Sequence, residues 1–346
     1  MTRRAWTFAS VLLVALVSGG AALRALGGTN GHPALPVSRV ESVGFTVADM
    51  DRSIDFYTRV LSFTKMSDVE VFGREYELMT GVFGARSRIV SLALGEERLE
   101  LTEYRAPRGR PIPADVRSND RGFQHVAIIV RDMARAYEQL RRLGVQHAST
   151  GPQRLPDWNR NAGGIEAFYF RDPDGHFLEI LQFPPGKGQA KWHTPGDSLF
   201  LGLDHTAIVI DRTETSLAFY REALGLTLAG ESENYDVEQE HLNNVFGARL
   251  RITALRAATG PGIELLEYLA PRDGRPAPPD LRANDIAHWQ TTLVTHTLDP
   301  VLPLARTHAL ALVSPGPIDA GGTALGFRAA ALARDPDGHG VRFVVR

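Results

Sequence analysis

Apolar residues recur along the chain in a fixed order of periods: a short run with strand character, a stretch with apolar positions three and four apart, then further short runs. Val43 to Val47 reads as a strand, and Ile54, Tyr57 and Leu61 then fall at helical spacing behind Asp49, a helix-capping residue. The order repeats at His125 to Val130 with Met133 to Leu143, closed by Gly144, and at His205 to Ile210 with Leu217 to Leu224, closed by Gly225. A fourth copy, Thr291 to Leu304, is degraded, because Pro300 and Pro303 leave little room for a regular helix start. Short β-type runs follow each helix, among them Arg88 to Leu94, Ala167 to Phe170, His176 to Leu181 and Leu250 to Leu255. The repeating unit is a strand, a helix and about three strands.

The four units form two longer copies. Val82-Phe-Gly-Ala-Arg86 returns as Val245-Phe-Gly-Ala-Arg249, a shift of 163 positions. Leu99 to Tyr104 matches Ile263 to Tyr268, Arg117 to Asp120 matches Arg282 to Asp285, and Arg171 to His176 matches Arg334 to His339. In the last pair, Asp172-Pro-Asp-Gly175 and Asp335-Pro-Asp-Gly338 are turn sequences: Pro fixes φ, Asp bonds local backbone and Gly accepts a positive φ. These aspartates are structural rather than catalytic, and mark the hairpin before each half's last strand.

A length of 346 residues allows two domains, each with its own core. The 38 Lys and Arg nearly balance 40 Asp and Glu and form no block, which argues against nucleic acid and for a small-molecule ligand. Cysteine is absent, so disulfides, thiolate ligands and a cysteine nucleophile are excluded. Any metal must sit on His, Asp or Glu. At the N-terminus, Arg3 and Arg4, an apolar run from Val11 to Val17 and small residues from Ser18 to Ala22 are the parts of a signal peptide. The run is shorter than the roughly 20 residues that span a bilayer. Thr2 to Phe8 loosely resembles a twin-arginine signal, with a plain secretory signal or an uncleaved anchor as alternatives. Export to the periplasm or beyond is expected, with no membrane contact other than such an anchor.

A strand, then Asp-x-x-x-Ser-x-x-Phe-Tyr-x-x-x-Leu (Asp49 to Leu61), then strands ending in Asp-Pro-Asp-Gly-His-Phe-Leu-Glu179, resembles the vicinal-oxygen-chelate superfamily of glyoxalase, bleomycin-resistance and extradiol-dioxygenase proteins. The resemblance covers roughly residues 40 to 346 and implies an α+β fold: four βαβββ modules in two tandem domains, with mixed curled sheets and helices outside. The expected boundaries are a leader at 1–27, a linker at 28–38, and a first domain at 39–184 with modules 39–105 and 121–184. A linker at 185–199 and a second domain at 200–346, with modules 200–270 and 286–346, follow.

The resemblance further implies cups that hold a divalent metal (Zn, Ni, Fe or Mn) on one residue from each module's first strand and one from its last. The first-strand places fall on Ser42, His125, His205 and Gln290, with Gln290 rather than His288 opposite His125. The last-strand places fall on Glu100, Glu179, Glu264 and Arg342. Pairing modules within each half spoils both sets, since Arg repels a cation and a Ser hydroxyl is a poor ligand for Zn, Ni or Fe. Pairing module 2 with module 3 collects His125, Glu179, His205 and Glu264, two imidazoles and two carboxylates. Module 1 with module 4 then collects Ser42, Glu100, Gln290 and Arg342, which reads as metal-free, and could place Arg342 with Gln290 around an anion or pair Arg342 with Glu100 in a closed core. Glu103 and Glu267, three residues along their strands, face the other side. His241 could line the cup but reads better as a loop residue, and Trp158 and Asn159 sit on a loop that either covers the pocket or packs on the surface.

The resemblance implies glyoxalase-I-like lyase or isomerase chemistry, with Glu179 or Glu264 as catalytic base. An extradiol-type dioxygenase is the alternative within enzymes, and a non-catalytic protein binding a small molecule such as an antibiotic the alternative outside them. Glyoxalase I uses glutathione adducts, which are mainly cytosolic, so an exported chain points to a different substrate. Both a monomer and a homodimer fit the sequence.

Overall fold

The computed structural model describes residues 34–346, and the expected leader lies outside them. Among the described residues, no helix is long and apolar enough to cross a membrane. Module 1 contributes strands β1 (Val37–Thr46), β2 (Thr64–Phe72), β3 (Arg86–Leu94) and β4 (Glu97–Ala106), with helices α1 (Met50–Arg59) and α2 (Arg74–Thr80). Module 2 contributes β5 (Gln124–Val130), the short β6 (Gln146–His147) and β7 (Gln153–Arg154), β8 (Glu166–Arg171), β9 (Phe177–Gln182) and helix α3 (Met133–Arg142). Module 3 contributes β10 (Phe200–Ile210), β11 (Thr227–Asn234), β12 (Arg249–Arg256) and β13 (Gly262–Ala270), with α4 (Thr213–Leu217) and α5 (Val237–Asn243). Module 4 contributes β14 (Trp289–Thr295), β15 (Ala311–Leu312), β16 (Ile318–Asp319), β17 (Ala329–Arg334), β18 (Gly340–Val345) and α6 (Val301–Thr307).

Local chemistry sets the helix ends. Asp49 and Asp132 cap α1 and α3, their carboxylates accepting from Arg52 N at 3.0 Å and Arg135 N at 2.9 Å. Helix α4 continues as a π-helical stretch, Ala218–Ala223, and its start is held by Glu267, whose carboxylate accepts from Thr213 N and Oγ1. In module 4 the helix forms despite the two prolines. Pro300 caps it and Pro303 falls in the first turn, where a backbone N–H has no helical partner to lose.

The modules do not pair by halves. One nine-stranded sheet joins modules 1 and 4 through antiparallel β1 and β14, and the other joins modules 2 and 3 through antiparallel β5 and β10. The cores on the helix side follow the sequence instead. Val43 and Leu101 of module 1 pack in one core with Val126 and Ile128 of module 2, and Ile208 of module 3 packs in another with Val301 and Phe343 of module 4. Strands β5 and β14 are therefore buried along their whole length, one face against helices and one face in a cup.

Two crossing linkers hold this exchange in place. Arg110 grips Asp285 with contacts of 2.7 to 3.2 Å, and Arg275 grips Asp120 in the same way. Arg121 N donates to Arg275 O at 2.8 Å and Ile286 N to Arg110 O at 2.9 Å. The crossing is so close that a Cβ on Gly109 would lie 2.0 Å from Asn284 O, and one on Gly274 1.9 Å from Asn119 O.

Candidate functional site

Register fixes which side chains meet. Across β5 and β10, His125 lies opposite Ala207 and His205 opposite Ala127. Ala207 is in parallel register with Glu264, and Ala127 with Glu179. Alternation along the strands then turns all four functional side chains into one cup. In the other sheet the same places hold Ser42 opposite Thr292 and Gln290 opposite Gly44, with Thr292 beside Arg342 and Gly44 beside Glu100. Gln290, not His288, is thus the counterpart of His125.

In the β5/β10 cup, Glu179 Oε2 lies 3.1 Å from His125 Nε2 and 3.6 Å from His205 Nε2, and Glu264 Oε2 lies 3.3 Å from His205 Nε2. Ligand atoms of His125, Glu179 and His205 all fall within 4.8 Å of one another. Glu264 is not part of that group and lies on the more open side: its side chain is 22 % exposed, against 5 % for Glu179. The second shell of His205 is built by the residue before it. Asp204 approaches His205 Nδ1 at 3.0 Å, takes the Trp192 indole N–H at 2.9 Å, and receives Arg256 Nη2 on both carboxylate oxygens at 2.8 Å.

Burial and the crowded carboxylates shift the groups of this cup. Burial alone would lower His205, but Glu264, Asp204 and Glu179 outweigh it and raise its pKa to about 9. Burial, with Glu179 and Asp204, holds the Glu264 carboxyl above its usual range against the pull of His205 and His125. Nδ1 of buried His125 lacks a hydrogen-bond partner among the described residues, and its Nε2 meets Glu179 at 3.1 Å without hydrogen-bond geometry. Two imidazole nitrogens and two carboxylates crowded in this way suit a divalent ion of the Zn, Ni, Fe or Mn kind. A carboxylate orienting a ligating imidazole through its other nitrogen is the usual outer support of such a site.

The second cup is closed by an ion pair. Arg342 Nη1 and Nη2 each donate to Glu100 at 2.8 Å, Arg342 Nε donates to Thr292 Oγ1 at 3.1 Å, and Gln290 Nε2 donates to Glu100 at 3.3 Å. Arg342 and Gln290 therefore serve Glu100 rather than an anion, and the cavity beside them is about 20 Å³. Ser42 is buried on β1 within the same cup.

His241 lies on α5 with an exposed side chain, neither in a loop nor facing the cup. Trp158 and Asn159 sit on a strap that crosses to module 3: Trp158 packs on Tyr235 at 4.3 Å, and Asn159 Nδ2 donates to Asn234 Oδ1 at 2.8 Å. Beneath it lies a cavity of about 90 Å³ that His125, Glu179, His205 and Glu264 line together with apolar residues such as Leu155 and Leu250. An outer vestibule of about 360 Å³ shares Ala162, Ser232 and Glu264 with it, so Glu264 stands at the junction. Sequence reasoning missed Asp204, although its place directly before His205 was a usable signal.

The glyoxalase/bleomycin resistance protein/dioxygenase superfamily model matches residues 39–180 and again 202–343, and the chain belongs to that superfamily. Among individual proteins it is 33 % identical over 153 residues to a 2-epi-5-epi-valiolone epimerase of an Actinomyces species, covering 42 % of this chain and 80 % of the relative. It is 28 % identical over 196 residues to the lactoylglutathione lyase of Schizosaccharomyces pombe, covering 54 % of this chain and 59 % of that protein. The fold is similar to that of glyoxalase I from Zea mays, with a TM-score of 0.56 and 18 % identity over 89 % of this chain and 92 % of that one. These relatives are enzymes, of differing reaction types.

Proposed function

We propose that the chain is a metal-dependent enzyme of the lyase or isomerase type, with one metal site shared between modules 2 and 3. The observation that carries the reading is the convergence of His125, Glu179, His205 and Glu264 in one cup while their counterparts in the other cup form a closed ion pair. A bound divalent ion there would act as a Lewis acid on a substrate carbonyl. His125, His205 and Glu179 would hold that ion, and Asp204, against Nδ1, keeps His205 Nε2 available to it. Glu264, on the vestibule side, takes the proton from the carbon beside the carbonyl and returns it, which gives isomerisation or epimerisation. The sheltered cavity keeps water away from the carbanion-like charge so formed.

The epimerase and lyase relatives support proton transfer next to a carbonyl as the reaction class. The basic, then apolar, then small-residue N-terminus supports export, where glutathione adducts are not the available substrates.

The test is solvent deuterium exchange into small hydroxy-ketones, followed by NMR, on protein loaded separately with Zn, Ni, Fe and Mn. Exchange should fall by about 10²- to 10⁴-fold in Glu264→Gln with the metal retained. Exchange unchanged in Glu264→Gln, or oxygen uptake with a catechol in place of exchange, would overturn the assignment.

A further inference from the structure

The two cups carry the same elements in the same places, so a position that differs between them reports what one cup does and the other does not. By the shift of 163, Gln239 of α5 stands where α2 has Tyr76, and Asn243 where α2 has Thr80. In the closed cup, buried Tyr76 stacks on Tyr104 at 6.2 Å and fills its side of the cavity of about 20 Å³. In the open cup the shorter Gln239 lines a cavity of about 90 Å³ together with the four candidate ligands.

Gln239 is only 1 % exposed. Its Nε2 donates to Asn243 Oδ1, and Asn243 Nδ2 donates to Tyr268 Oη at 2.6 Å. That relay leaves Gln239 Oε1 buried with no hydrogen-bond partner among the described residues. A buried acceptor left unpaired is costly, which favours a ligand that brings a donor to it.

The charge around the opening narrows what can supply the donor. The vestibule holds two cations: Arg256 grips Asp204, and Lys187 Nζ donates to the neutral carbonyls of Gly163 at 2.7 Å and Arg160 at 3.2 Å. Asp204, Glu231 and Glu264 line the same space. Three carboxylates thus face two cations there, one of which, Arg256, is already paired with Asp204, so an anionic substrate group meets more like charge than opposite charge.

We infer that the site takes a small, uncharged carbonyl compound bearing a hydroxyl group, whose O–H donates to Gln239 Oε1, and that Gln239 is a specificity-determining residue. The inference rests on the metal-held carbonyl proposed above.

The test uses metal-loaded full-length protein and three hydroxamates, which chelate through two neighbouring oxygens. Acetohydroxamate carries no further hydroxyl, whereas glycolohydroxamate and glycerohydroxamate carry hydroxyls one and two carbons out. Metal content is measured first, in the wild type, Gln239→Leu and Gln239→Tyr, and is expected to be equal. Calorimetry should show at least one hydroxylated probe binding the wild type about tenfold more tightly than acetohydroxamate. Gln239→Leu should erase that preference while leaving acetohydroxamate affinity within about twofold, and Gln239→Tyr, which copies the closed cup, should bind none of the three. A loaded wild type that shows no preference, a preference that survives Gln239→Leu, or a loaded wild type that binds no hydroxamate overturns the inference alone. A wild type that takes up no metal overturns the metal reading and the inference together, and is read before any probe is added.

Discussion

Replacing Arg342 by Met breaks the ion pair that closes the second cup while keeping most of the side-chain volume. Arg342 is 3 % exposed, and the substitution removes both 2.8 Å contacts to Glu100 and the 3.1 Å contact to Thr292. Glu100 would keep only the 3.3 Å contact from Gln290. Breaking a buried pair from one side typically costs about 3–5 kcal/mol, because the remaining charge is stranded. Glu100 is 16 % exposed, so water reaches it in part and the low end of that range applies. A loss of about 3 kcal/mol corresponds to roughly a hundredfold fall in the folded-to-unfolded ratio. The double variant Arg342→Met with Glu100→Leu removes both charges and should recover most of that loss. Urea unfolding followed by near-ultraviolet circular dichroism measures both variants against wild type. If Arg342→Met lies within about 0.5 kcal/mol of wild type, or the double variant is no better than the single, the pair does not close the cup in the way described.

The linker crossing gives a second expectation. Gly274→Ala places a methyl group 1.9 Å from Asn119 O, and should destabilise the chain by about 1–3 kcal/mol or more in the same assay, with Gly109→Ala behaving alike. A third concerns pH. Nδ1 of His176 approaches Asp172 at 2.9 Å and Nε2 approaches Ile286 O at 2.8 Å, so both ring nitrogens donate and the ring is cationic. Burial would lower His176, but Asp172 and the Ile286 carbonyl outweigh it and raise its pKa. Its stabilisation is full below the unfolded value of about 6.5 and is lost as pH rises through the folded value. Asp172 shifts the opposite way: against burial, His176 and backbone N–H donors lower it, so its stabilisation is lost as pH falls through its folded value. Urea midpoints of His176→Gln relative to wild type should thus converge as pH rises above about 6.5, and a gap independent of pH would refute the cationic ring.

The fold and the four ligand candidates were legible because the 163-residue repeat transfers register from one module to the next. Once Tyr220 and Tyr57 align, His205 and Ser42 must occupy one place on equivalent strands. The exchange of modules was legible only through chemistry: Arg342 cannot join a cation site, and only pairing across the halves yields a full ligand set. Cores shared by sequence neighbours, with sheets shared by distant modules, left no local signal, since both faces of β5 are buried. The helix α6 was obscured because proline disfavours a helix interior but not its first turn. His241 was misplaced for a similar reason, as α5 is only seven residues long and too short for a clear period. The role of Gln239 depends on a cavity wall and a three-residue relay, which no spacing in the sequence records.

The central claim is a single metal centre whose ligands come from both halves of the chain. Elemental analysis of purified, metal-loaded protein tests it most directly, applied to the wild type, His125→Ala from the first half, His205→Ala from the second and Arg342→Met from the other cup. One divalent ion per wild-type chain is expected, with a large loss of metal in both His125→Ala and His205→Ala and an unchanged count in Arg342→Met. Full metal content in either ligand variant, or a wild-type chain that binds none, would contradict it.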